Sequence, residues 1–239
     1  MKVNWNYIKM FALTALVVFL FAFASARNAT RPVSEPHIKF TSENNLYITN
    51  EDVSKLLIQN FGEVKNIPKE ILDLNVLEHA LKSNPMIKNA EVYLAVNGIL
   101  NATIEQKTPI ARVSTNASYY IDVDGNYMPL SNNYTARVPL VTGFVEKNNL
   151  VNVYTVAKKI TTDEFLKKHV IEIHQAKDET LSIRLRQCNF LVQLGDTKLL
   201  NKKINNLKAF YQKSLKEDTL KNYSKVNLQF DNQVVCTKI

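Results

Sequence analysis

The longest hydrophobic pattern of the chain lies near its start. Residues 10–26 carry no charged side chain, with Lys2 and Lys9 before them and Arg27 and Arg31 after them. As a helix, this run spans about 26 Å, slightly less than the hydrocarbon core of a bilayer. The alternative is a cleaved secretory signal, because Ala24-Ser25-Ala26 fits a cleavage site. Both interpretations place the rest of the chain outside the cytoplasm, and we favour the uncleaved anchor.

The patterns that follow predict a strand and two helices. The strand covers residues 38–40, and a capping-box pattern at Thr49 and Asp52 begins the first helix, which ends at Gly62. Asp73 is the predicted N-cap of the second helix. The apolar stripe of this second helix contains Val76, Leu77, Ala80 and Leu81.

Alternating apolar residues then predict a β-hairpin over residues 91–105, with its turn at Asn97-Gly98. An Asn-Gly pair favours a type I′ turn, in which both residues take positive φ. The predicted apolar face contains Val92, Leu94, Val96, Leu100, Ala102 and Ile104. The order strand, helix, helix, strand, strand predicts a small α+β unit with its helices on one face of the sheet.

After Thr108-Pro109 the patterns predict a second α+β domain. Asp124-Gly125 marks a tight turn within it, and Cys188 falls between two of its strands. The predicted strands cover residues 119–123, 127–130, 138–143, 170–176, 181–186, 190–194, 225–230 and 233–237. The predicted helices cover residues 149–160, 163–168 and 197–215. The apolar stripe of the last helix contains Leu199, Leu200, Ile204, Leu207, Phe210, Tyr211 and Leu215.

Charge does not favour a nucleic-acid partner. Four of the 30 basic residues flank the apolar run, which leaves 26 basic against 22 acidic residues elsewhere. No basic cluster is interleaved with aromatic residues, so we predict no nucleic-acid binding. The two cysteines, Cys188 and Cys236, are too few for a disulfide scaffold, and we interpret them as packed or free thiols, with one disulfide open.

The sequence contains no pattern that favours an enzyme. The stretch from Asp122 to Asn126 resembles the start of a calcium loop, but Gly125 stands in the fourth position and Asn133 in the twelfth. The four histidines lack metal-ligand spacing, and no nucleophile motif or phosphate-binding loop is present. We therefore expect no catalytic residue, no metal, no cofactor and no small-molecule substrate.

Five segments of the chain form a specific set of motifs. They are NPMIKNAEV (residues 84–92), EQKTPIA (105–111), YIDVDGN (120–126), VPLVTG (138–143) and VNLQFDNQVV (226–235). The first two resemble the POTRA domain, and the last three the β domain, of the FtsQ/DivIB family of bacterial cell-division proteins, and they occur in the family's order. Met86 replaces the usual aromatic residue, and Asn227 replaces the usual acidic one.

The resemblance implies an α+β protein with one transmembrane helix, a POTRA domain of order β-α-α-β-β and a mixed α+β "β domain" with antiparallel strands. The expected boundaries are a cytoplasmic tail at 1–9, the helix at 10–26, a linker at 27–36, the POTRA domain at 37–112 and the β domain at 113–239. This layout is that of a single-pass protein of the bacterial inner membrane, with its C-terminal part periplasmic.

By the same resemblance, the protein is a non-enzymatic divisome scaffold that binds FtsB/DivIC-like and FtsL-like partners. The alternative is a secreted or periplasmic enzyme or glycoprotein, released by cleavage after Ala26. Strand 233–237 comes last in the sequence, so we expect an edge to which a partner adds a strand. The expected partner-binding residues are Phe230, Asn232, Gln233, Val235 and Thr237, with helix 197–215 as a second contact.

Overall fold

The computed structural model describes residues 5–29, 34, 36–41, 45–61, 72–231 and 233–239. It divides into two compact units, Met1–Gln106 and Lys107–Ile239. Each unit has its own cluster of buried apolar residues. The fold is α+β, as predicted from the sequence.

The first helix, α1 (Trp5–Ala29), contains the apolar run. Its apolar side chains are exposed throughout, and it is long and apolar enough to cross a membrane. The helix extends beyond residues 10–26 on both sides and rises about 37 Å, enough for the hydrocarbon core. A signal sequence passes the same test of length and composition, so α1 alone leaves both interpretations open.

The remainder of the first unit has the predicted order of elements. It consists of β1 (His37–Phe40), α2 (Asn50–Phe61), α3 (Leu74–Lys82), β2 (Ile87–Leu94) and β3 (Leu100–Gln106). The sheet order is β1-β3-β2, with β1 parallel and β2 antiparallel to β3. Leu57, Leu77 and Ile104 lie in the core between helices and sheet. The β-α-α-β-β order is therefore confirmed.

Both predicted helix starts are present. The Thr49 N–H donates to Asp52 Oδ2 (3.0 Å), and the Asp52 N–H donates to Thr49 Oγ1 (3.2 Å), which forms the capping box. Asp73 Oδ1 accepts from the N–H groups of Asn75 (2.9 Å) and Val76 (3.3 Å). Val76 itself is about half exposed, so its predicted place in the buried stripe is wrong. Gly62 lies outside the described residues.

The first hairpin turns differently from the prediction. The Gly98 N–H donates to Ala95 O and the Ala95 N–H donates to Ile99 O, both at 2.9 Å. Gly98 takes a φ of +91°, whereas Asn97 does not take a positive φ. The loop is thus a three-residue turn with a glycine bulge, and the type I′ assignment is wrong. Val96 lies in this turn, 86% exposed, and does not belong to the apolar face.

The second unit contains three α-helices, one short 3-10 helix (Leu220–Asn222) and nine strands in its described part. The helices are α4 (Val151–Thr162), α5 (Glu164–His169) and α6 (Leu200–Lys216). The strands are β4 (Pro109–Ser114), β5 (Ser118–Asp122), β6 (Tyr127–Met128), β7 (Leu140–Gly143), β8 (Val170–Gln175), β9 (Leu181–Leu185), β10 (Leu191–Gly195), β11 (Tyr223–Asn227) and β12 (Val235–Lys238). Strand β4 was not predicted from the sequence.

These strands form one sheet in the order β12-β11-β10-β9-β8-β7-β4-β5-β6. The sheet is mixed, because β4, β7 and β8 run parallel to one another, as do β10 and β11. One row of paired residues crosses six strands and is at most 1% exposed. This row consists of Val113, Val141, Ile173, Ile183, Val192 and Val226. It packs in the same core cluster as buried residues of all three helices.

The turn at residues 122–126 has a structural explanation. Asp122 Oδ1 accepts from the N–H groups of Asp124 (3.0 Å) and Asn126 (2.7 Å), and Gly125 takes a φ of +84°. Asp122 also forms an ion pair with Lys107 at 3.2 Å. The carboxylate therefore holds the turn together.

Candidate partner-binding edge

Strand β12 occupies one edge of the nine-stranded sheet. It pairs antiparallel with β11, which in turn pairs parallel with β10. Among the described residues, no strand pairs with the other side of β12. An edge strand of this kind presents main-chain N–H and C=O groups that another strand can bind.

The hydrogen-bond pattern identifies which main-chain groups point outward. The Leu228 N–H donates to Gln193 O (2.9 Å), so Leu228 and Val226 direct their main-chain groups toward β10. Asn227, which lies between them, therefore faces β12 and its pairing partner Val235. In β12 the main-chain groups of Val235 and Thr237 point inward, and those of Cys236 and the N–H of Lys238 point outward.

The Ile239 N–H supports this assignment. It donates to Asn222 O at 3.0 Å, on the side of β11. Directions alternate along a strand, so Ile239 and Thr237 face β11 while Lys238 faces away. The free edge thus consists of the N–H and C=O of Cys236 and the N–H of Lys238, two residues that are absent from the predicted set. The Lys238 carbonyl also accepts a long hydrogen bond from Ser224 Oγ (3.4 Å).

The side chains of β12 divide between the two faces of the sheet. Cys236 pairs with the buried Val226 and packs against the core. Val235 and Thr237 lie on the opposite face, where both are exposed. This face is away from the helices, so these two predicted residues are accessible for side-chain contacts with a partner strand.

The other predicted residues precede β12. Gln233 is exposed, and Phe230 is 46% exposed in the connection from β11, beyond the end of that strand. The predicted strand 225–230 is therefore too long at its C-terminal end. Asn232 lies outside the described residues.

Helix α6 packs beside the neighbouring strand. The ring of Phe210 lies edge-on to Phe190 (5.9 Å) and Tyr223 (5.3 Å), and Tyr223 is the first residue of β11. These contacts hold β11 against the helix layer, which keeps the edge in place. Leu199 and Leu215 are more than half exposed, so their predicted place in the buried stripe of this helix is wrong.

The surroundings of the edge are basic and contain no disulfide. Lys225 and Lys238 are exposed on the two paired strands. Cys236 and Cys188 are both free thiols, and burial raises the pKa of each. The possible disulfide is thus not formed, and the thiols pack as half-buried apolar groups.

Comparisons with known proteins agree with this architecture. A family model described as "FtsQ/DivIB, C-terminal related" matches residues 108–237, which is more than half of the chain. A model of a POTRA-like domain matches residues 37–105. No curated protein matches the chain.

Proposed function

The chain belongs to the FtsQ/DivIB family, and from this premise we propose that it is a non-enzymatic scaffold of bacterial septal cell division. In this proposal, the second unit binds an FtsB/DivIC-like protein by strand addition at β12, and an FtsL-like protein joins through the same complex. The observation that supports it most is the edge position of β12, with the main-chain groups of Cys236 and the N–H of Lys238 directed outward.

We further propose that α1 remains attached as a single anchor in the inner membrane, with both units in the periplasm. Its length and exposed apolar surface support this topology. N-terminal sequencing of the protein from the membrane fraction tests it. A mature chain that begins at Arg27 would contradict the anchor and favour the secreted alternative.

The chemistry of the edge indicates what kind of strand fits. Lysines at a sheet edge discourage indiscriminate pairing. Lys225 and Lys238 therefore favour a partner strand that carries acidic residues. Val235 and Thr237 contact alternate side chains of that strand. Binding should weaken as salt concentration rises, because exposed charges are screened.

The test compares three variants of the full chain, reconstituted in nanodiscs, for binding to the soluble region of the FtsB/DivIC-like protein from the same bacterium. Lys238→Pro removes an outward N–H and places a ring in the path of a partner strand. Lys238→Gln removes the same charge but keeps the N–H. Val235→Pro removes an N–H that faces Asn227 in β11, so it disrupts the pairing of β12 with β11.

We expect Lys238→Pro to weaken binding at least about tenfold, the value of one good hydrogen bond, while Lys238→Gln changes it only a few-fold. Circular dichroism serves as the folding control. Val235→Pro should lose both binding and part of its stability. Equal binding by folded Lys238→Pro and wild type would refute strand addition at β12.

A further inference from the structure

A second surface lies in the same sheet, separated from β12 by three strands. The parallel strands β4, β7 and β8 end side by side, and an open crevice of about 860 Å³ lies just beyond their carboxyl ends. Residues that directly follow each strand line it, namely Thr115 after β4, Phe144 after β7 and Ala176 after β8. Ligands of sheets with parallel strands commonly bind at this position, outside the carboxyl ends.

The floor of the crevice is rigid. The Phe144 N–H donates to Gln175 O (2.8 Å), and Gln175 Nε2 donates back to Phe144 O (2.8 Å). Gly143 permits this close approach with a φ of +91°, since a Cβ there would overlap Gln175 O. Gln175 is only 4% exposed, and its Oε1 accepts no hydrogen bond from any described residue. Gln175 thus lines the crevice and carries a buried acceptor that has no donor among the described residues.

Glu179 holds an unusual backbone conformation at the rim. The loop between β8 and β9 repeats the geometry of the turns at Gly98 and Gly125, with Ala176 and Thr180 as the closing pair. At the position that is glycine in those two turns, Glu179 takes a φ of +63°. A non-glycine residue there costs about 1 kcal/mol or more. The side chain is therefore placed at the crevice at the expense of local stability.

The charges and the ring around the crevice favour a cation. Glu146 and Glu179 both line it, and Lys177 is the single basic residue among its described lining residues. Glu179 accepts hydrogen bonds from the side-chain amides of Asn149 and Asn152 (3.3 Å each). Glu146 is a second exposed carboxylate at the crevice. Phe144 is 56% exposed, and Lys177 Nζ lies 4.9 Å from its ring centroid. The ring thus already holds the chain's own ammonium group at its electron-rich face, and a bound ammonium group would take the place of Lys177 there.

We propose that this crevice binds a primary ammonium group on an aliphatic stem, with Glu179 and Glu146 as its charge partners and Phe144 as the surface for the stem. Two sources supply this chemistry, a lysine side chain of a protein and a free aliphatic diamine. The site does not depend on the strand-addition proposal, since it uses other strands and no residue of β12.

The test measures binding of two probes to the full chain in detergent micelles by saturation-transfer NMR. The first probe is the peptide acetyl-Gly-Lys-Gly-amide, with its norleucine analogue as the matched control without the ammonium group. The second is 1,5-diaminopentane. The protein variants are Glu179→Gln and Glu146→Gln, with Glu217→Gln at the end of α6 as a carboxylate control away from the crevice.

We expect the lysine peptide to bind in preference to its norleucine analogue. Glu179→Gln and Glu146→Gln should each weaken this binding at least about tenfold, and Glu217→Gln should leave it unchanged. Binding of the diamine as well would identify free amines as a source, whereas binding of the peptide alone would identify a protein. Equal binding of the lysine and norleucine peptides, or full binding by Glu146→Gln and Glu179→Gln, would overturn the proposal.

Discussion

Gly143 is the position at which a single methyl group should most damage the second unit. It ends β7 with a φ of +91°, and a Cβ there would overlap the carbonyl oxygen of Gln175 in β8. Gly125 is the matched control in the same unit. It has a similar φ of +84°, but a Cβ there would lie 3.3 Å from the ring of Tyr154, so a shift of a few tenths of an ångström would relieve the contact.

The expected magnitudes follow from these surroundings. The positive φ costs alanine about 1–2 kcal/mol at either position. At Gly143 the overlap must also separate Phe144 from Gln175, which breaks two hydrogen bonds of 2.8 Å beside the core. Each broken bond adds about 1 kcal/mol or more. Gly143→Ala should therefore destabilise the unit by at least about 3 kcal/mol, and Gly125→Ala by about 1–2 kcal/mol.

Urea titration combined with pulsed hydrogen exchange measures this difference in the full chain. Mass spectrometry of peptides from β7 to β9 reports on the second unit, and peptides from β2 and β3 report on the first unit. The reasoning is refuted if Gly143→Ala destabilises the second unit no more than Gly125→Ala does. A change confined to the first unit would refute it equally.

Two further predictions concern other parts of the fold. Gly98→Val should destabilise the first unit by more than about 1 kcal/mol, because valine tolerates the φ of +91° poorly, and unchanged exchange of β2 and β3 would contradict this. The His169 ring packs 5.0 Å from that of Tyr211, and burial, followed by the positive charges of Lys168 and Arg186, lowers the pKa of His169. Since the folded state resists protonation, stability should be full above about pH 6.5 and fall as pH decreases below it. His169→Phe should reduce that decrease in a urea titration at several pH values.

The sequence predicted best those elements whose signals are local. The capping groups of Thr49 and Asp73 act within three residues, and both are present. Alternation placed Leu100 and Ile104 in the core, because one face of β3 is buried and the side-chain period of a strand is two. Periodicity predicts which face of a helix is apolar, but it does not show where the neighbouring layer ends. Leu199 and Leu215, at the two ends of the α6 pattern, fit the period and are nevertheless exposed.

Strand β4 was missed because its signals are not local. Pro109 marks a break in most contexts, but here it is the first residue of the strand, a position that tolerates proline. Ile110 and Ala111 are both buried, so the strand does not alternate as a half-exposed strand would. Its parallel partner β7 lies more than 25 residues later. Parallel pairing over that distance leaves no turn signal in the sequence, and the crevice at the ends of these strands could not be predicted either.

Some features of the proposed partner-binding edge could be predicted from the sequence, and others could not. The order of strands made 233–237 a candidate edge, and its exposed side chains, Val235 and Thr237, were in the predicted set. Which main-chain groups point outward depends on the pairing of Asn227 with Val235. A shift of this register by one residue would turn the groups of Val235 and Thr237 outward and those of Cys236 inward. Strand addition uses the main chain, so its proposed donors are Cys236 and Lys238, although the Cys236 side chain packs against the core. Proline at Val235 would thus lower binding by loosening β12, whereas proline at Lys238 acts on the free edge alone.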